Sequence, residues 1–111
     1  MSTVVTEVMA SGAGGGAQVH VQNLATRLDP QRFDVDVISL ADGPAVRRLR
    51  AAGVRTHVVE AADDEAAEAA VLELFSRRPP EIVHNHMYRA EIVGTRAAWR
   101  VAETGRTREP I

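Results

Sequence analysis

Thr3-Val4-Val5-Thr6-Glu7-Val8-Met9-Ala10-Ser11-Gly12-Ala13-Gly14-Gly15-Gly16-Ala17-Gln18 is the stretch that decides the fold. Thr3 to Met9 is a short β-branched apolar run of the kind found in buried parallel strands, and it ends in a turn rich in glycine. From Ala17 the apolar positions Ala17, Val21, Leu24, Ala25 and Leu28 recur at helical spacing until Asp29-Pro30 stops them. The order is strand, glycine loop, helix.

The same unit repeats downstream. Phe33 to Leu40 alternates Phe33, Val35 and Val37 with Asp34 and Asp36, then turns continuously apolar, which predicts a strand exposed at its start and buried further on. Asp42-Gly43-Pro44 opens a second helix with Pro suited to the first turn; Ala45, Val46, Leu49 and Ala52 form its inner face, and Gly53 supplies the left-handed stop. Val54 to Val59 is a third short strand. Asp63-Asp64-Glu65 then places negative charge at a helix start, Ala67, Ala70, Val71 and Leu74 make the buried stripe, and Arg77-Arg78 sit at the carbonyl end before Pro79-Pro80. Glu81 to His86 begins a fourth strand, followed by a helix carrying Ala90, Val93, Ala97 and Val101 that stops near Gly105. Four strand-helix units with short links predict an α/β, Rossmann-like parallel sheet of about four strands with helices on both faces. Pro110-Ile111 falls where a fifth strand is due, so the expectation is a sheet that continues past residue 111, with β-edge association open to a four-stranded form.

Composition narrows the chemistry. The 111 residues have 45% apolar side chains, a formal charge of −2 and no cysteine, which fits one domain. Near-neutral charge argues against nucleic acid or a membrane surface as partner. All 13 basic residues are Arg, so mechanisms that need a Lys are excluded, including Schiff bases and the P-loop. Without cysteine there is no disulfide, thiolate nucleophile or Cys-bound zinc. No apolar run reaches the ~20 residues of a membrane helix, and the N-terminus lacks a basic signal-peptide start; a cytoplasmic protein is expected.

Two places carry candidate chemistry. Glycines between a strand and a helix let a ligand come close to the backbone, and the helix start attracts an anion such as phosphate; a merely flexible turn is the alternative. Gly12 to Ala17 also fits the dinucleotide pattern, but the acid that should hold a ribose could only be Asp42, which the turn before Pro44 already explains. His84-Asn85-His86 puts two imidazoles on one face at the carboxyl end of the fourth strand, where open sheets bind ligands. No third ligand stands at metal-binding spacing in the sequence, so no metal is expected there, and the pair is either structural or, at His86 above all, a substrate contact. Gln18, in the first turn of the first helix, either hydrogen-bonds substrate or faces solvent; Tyr88 and Arg89 follow the fourth strand toward the same cleft. His20 and His57 read as structural or exposed, and Arg47-Arg48-Arg50 as a solvated helix face.

Gly15-Gly16-Ala17-Gln18, Asn23-Leu24-Ala25 with Leu28, Asp42-Gly43-Pro44, Leu49-Arg50-Ala51-Ala52-Gly53-Val54 and Pro80-Glu81-Ile82-Val83-His84-Asn85-His86, in this order, resemble the N-terminal domain of family 4 (group 1) GT-B glycosyltransferases. The resemblance spans nearly the whole chain. It implies a retaining transfer of sugar from a nucleotide-diphosphate sugar to an acceptor, in a cleft between two Rossmann-type domains. Carried over, Gly15 and Gly16 approach the donor diphosphate through backbone N–H groups, while Gln18, His86, Tyr88 and Arg89 line the acceptor side. No metal or other cofactor is implied, the leaving diphosphate being stabilised by helix dipoles and basic groups. The family's next strand, with its own His, and its donor-binding C-terminal domain with a paired-glutamate motif have no counterpart in residues 1–111. The expectation is therefore a partial, acceptor-side domain that is inactive alone. The competing reading is a non-catalytic α/β module that binds an anion or nucleotide, or recruits a partner through its sheet edge.

Overall fold

The computed structural model describes residues 2–103. Its elements run β1 (Thr3–Met9), α1 (Gly16–Arg27), β2 (Phe33–Ser39), α2 (Pro44–Ala51), β3 (Thr56–Val58), α3 (Asp64–Arg77), β4 (Ile82–His86) and α4 (Tyr88–Glu103). The strands form one parallel sheet in the order β3-β2-β1-β4. The expected α/β architecture is met; the end of the fourth helix near Gly105 and the strand expected at Pro110-Ile111 lie outside the described residues.

Strand pleating sorts the side chains onto two faces. Val8 and Ile38, paired across the β1–β2 ladder, point with Val83 into a core closed by Ala67, Val71 and Phe75 of α3 and by Ala90, Val93 and Ala97 of α4. Met9 and Val37 point the other way, under Val21 of α1 and Val46 and Leu49 of α2. Helices therefore cover both faces, as chains of right-handed strand-helix-strand crossovers require.

Punctuation follows local chemistry. Pro44 stands in the first turn of α2, and Gly53, just past the end of that helix, takes φ +84°, the left-handed conformation that glycine adopts without a Cβ penalty. Asp63 caps α3, its carboxylate accepting the Ala66 N–H at 2.8 Å. Some expected inner positions shift. Ala52 is exposed at the end of α2, and the buried line of α3 runs Ala67-Val71-Phe75 rather than through Ala70 and Leu74, which are half-buried. Arg78 leaves the helix end to grip β2: its guanidinium meets Asp36 at 2.8 Å and Asp34 at 2.9 Å, and the buried Asp36 also accepts the Thr6 hydroxyl at 2.6 Å.

Candidate functional site

In a parallel sheet every strand ends at the same side, so the β1–α1 loop, the β2–α2 loop and the turn after β4 share one rim. The first two loops are clamped together by glycine. A Cβ on Gly12 would stand 2.7 Å from both the Ala41 oxygen and the Gly43 nitrogen, so both Gly12 and Gly43 exist to let two backbones cross. Across that crossing the Ala45 N–H donates to the Gly12 carbonyl at 2.8 Å. The start of α2 is thereby supplied with a partner by the neighbouring loop.

The start of α1 is different. Its N-cap is Gly15, no side chain caps it, and no acidic residue lies in its first turn. Gly14, Gly15 and Gly16 are exposed, and a Cβ on Gly16 would touch nothing within 4 Å. Nothing inside the described protein requires position 16 to lack a side chain. Open N–H groups and the positive end of the helix dipole make this rim attractive to an anion. Arg48, read from the sequence as part of a solvated face, reaches the loop: a Cβ on Gly14 would lie 3.6 Å from its Nη2. The signal that could have found it is its place one turn into the helix beside the loop.

Gln18 is neither exposed nor aimed outward. It is 6% exposed, and its amide nitrogen donates to the Ser11 carbonyl at 3.0 Å, tying the glycine loop to α1. The amide also contacts the Met87 sulfur at 3.9 Å, linking the loop to the turn after β4. That turn is bent by Met87 itself, whose φ of 76° is in the left-handed region and costs a β-carbon-bearing residue about 1–3 kcal/mol. Tyr88, at the start of α4, is 72% exposed on the rim. Arg89 points away from the glycine loop to α3, where its Nε donates to Asp64 at 2.8 Å. Gln18 thus joins the glycine loop to the turn beside His86, while Arg89 pairs with the start of α3.

His84 and His86 share a face of β4, as their spacing requires, and the fold adds what the local sequence lacks. In the β1–β4 register Glu7 pairs with His84 and Met9 with His86. Oε1 of Glu7 stands 3.1 Å from Nδ1 of His84 and 3.1 Å from Nε2 of His86. Glu7 is buried, at 1% exposure, His86 is buried and His84 is exposed. A carboxylate oxygen accepts and a ring N–H donates, so each of these contacts has the length of an imidazole N–H bond to Glu7. His20 of α1 completes the group, its ring centroid 5.8 Å from that of His86. Asn85, on the other face, donates to Thr95 at 3.2 Å and lies on α4 where only Gly94 leaves room.

Residues 15–104 match the model of a family described as the glycosyl transferase 4-like domain. No curated protein matches the sequence. Among solved structures, the chain is similar to an apo lipopolysaccharide outer core galactosyltransferase, WaaB, with a TM-score of 0.71 at 8% identity over 94% of this chain. It is also similar to a glycosyltransferase from Rickettsia africae, with a TM-score of 0.70 at 15% identity over 89% of this chain. The chain spans 31% and 27% of the lengths of these two proteins.

Proposed function

The chain belongs to the glycosyl transferase 4-like domain family, and from that premise we propose that it forms the acceptor-side half of a retaining GT-B enzyme using a nucleotide-diphosphate sugar. The observation that carries this reading is the uncapped start of α1, with Gly16 bordering open space at the carboxyl rim of the sheet. There the donor diphosphate lies against the N–H groups around Gly15 and Gly16, with Arg48 beside it. As the glycosidic bond breaks, charge builds on the diphosphate, and preoriented N–H dipoles stabilise it without having to reorganise. His86 and Tyr88 face the acceptor. Gln18 acts by holding the glycine loop through Ser11, and Arg89 braces the rim through Asp64.

On this reading the 111 residues do not complete a turnover by themselves, since a two-domain cleft needs its donor-gripping partner domain. The β4 edge is where a further strand of this half pairs. Gly16→Val tests the assignment in the enzyme that contains this domain. A side chain at that position blocks diphosphate approach, and kcat/KM for sugar transfer falls at least about tenfold, with the fold intact by circular dichroism. Unchanged transfer and donor affinity remove Gly16 from the donor site and the proposal with it.

A further inference from the structure

Two of the chain's four histidines, His84 and His86, meet the single buried carboxylate of Glu7, and a third, His20, sets its ring edge-on to His86. With Glu7 the four residues arrive from three elements, β1, β4 and α1, so no local sequence motif produces the grouping. Glu7 sits in the middle of an inner strand, where a carboxylate is costly unless it is matched by donors or a cation. Two imidazole nitrogens face its one oxygen, each at 3.1 Å. The geometry points to a divalent transition-metal site formed by Glu7, His84 and His86, with zinc as its natural ion.

The donor set is two imidazoles and one carboxylate, a combination that suits zinc and related ions better than magnesium or calcium, which prefer all-oxygen ligands. The three donor atoms lie within 4.8 Å of one another. Bonds of roughly 2.0–2.1 Å in a tetrahedral centre place donors about 3.3–3.4 Å apart, close to the 3.1 Å already held on both carboxylate edges. The remaining nitrogen-to-nitrogen edge closes through the exposed His84 ring, which is also the way in from solvent. An imidazole that binds the ion through the nitrogen facing Glu7 carries its proton on the other ring nitrogen. Three protein ligands leave one position for water, on the same rim as His20. The paired register of Glu7 with His84 makes the two strands a rigid mount.

The test uses the protein stripped of metal by chelation. Zinc chloride is titrated in competition with a chromophoric chelator, and cobalt chloride is followed by visible absorption. One equivalent binds, cobalt gives the intense bands of a four-coordinate centre, and zinc raises the Tm. Glu7→Gln, which keeps the size of the side chain, and His84→Ala, at an exposed position, each weaken zinc binding by at least the roughly 10–100-fold that loss of an outer-shell partner costs, while His57→Ala on β3 leaves it unchanged. Equal zinc affinity in wild type, Glu7→Gln and His84→Ala, or no binding to any of them, overturns the site. These readouts do not involve sugar transfer, so they stand or fall apart from the Gly16→Val result.

Discussion

Glu7 was invisible as a candidate site residue in the one-dimensional chain because its partners His84 and His86 are 77 and 79 positions away. Only the β1–β4 register, which no local pattern encodes, makes them neighbours. The same holds for Asp36, which reads as the polar phase of an alternating strand start and is in fact a buried acceptor for Thr6 and Arg78. That pair yields a residue-scale expectation. Arg78→Ala strands the Asp36 carboxylate with the Thr6 hydroxyl as its remaining side-chain partner, and chemical denaturation should show a loss of about 2–3 kcal/mol, the low end for breaking a buried pair because the guanidinium is partly exposed. A loss below about 0.5 kcal/mol would mean the contact is an ordinary surface pair. His84 and His86 themselves were legible, since a spacing of two on a strand forces a common face. Gln18 was legible as a candidate acceptor contact, with solvent exposure as the alternative; its burial and its bond to the Ser11 carbonyl come only from the folded loop.

The two kinds of helix start separate structure from function at the level of elements. α3 opens on Asp63 with Asp64 and Glu65 in its first turn, so its own sequence answers its free N–H groups and dipole. α1 opens on glycine with neither cap nor acid. Asp63→Ala should therefore cost about 1 kcal/mol of stability, seen as a lower thermal midpoint, and leave donor binding untouched; an equal loss of donor affinity would place the α3 start in the site. All four strand-helix units were legible because parallel strands buried on both faces read as apolar runs and because Pro30, Gly53 and Pro79-Pro80 punctuate them. What escaped was the width of each apolar stripe. On α3 the spacing predicts Ala67, Ala70, Val71 and Leu74 as the stripe, and the folded helix buries Phe75 with Ala67 and Val71 while Ala70 and Leu74 stay partly buried. On α1 only Gln18 and Val21 are buried, and Ala25, a turn further on, is partly buried against the same cluster.

At the scale of the whole molecule, chemistry is concentrated at the carboxyl end of the sheet. The hollow of about 350 Å³ at the other end, bordered by Ala25, Phe33, Asp34 and Val54, gathers no comparable set of donors. β1 is the shared spine of both candidate centres: it delivers Glu7 to the histidines and, seven residues on, the glycine loop to the start of α1. The crossing of Gly12 and Gly43 adds a mechanical consequence. Since the Ala45 amide is bonded to the Gly12 carbonyl, the two loops cannot open one at a time. The two loops then act as one lip, and in the two-domain enzyme proposed above a cleft over it closes by the neighbouring body swinging rather than by a flap folding down. Amide hydrogen exchange reads this directly. The Ala45 proton should exchange with the slow kinetics of the sheet beneath it, well behind the Gly15 and Gly16 protons at the exposed start of α1, whereas fast exchange at Ala45 would show that the lip has a hinge.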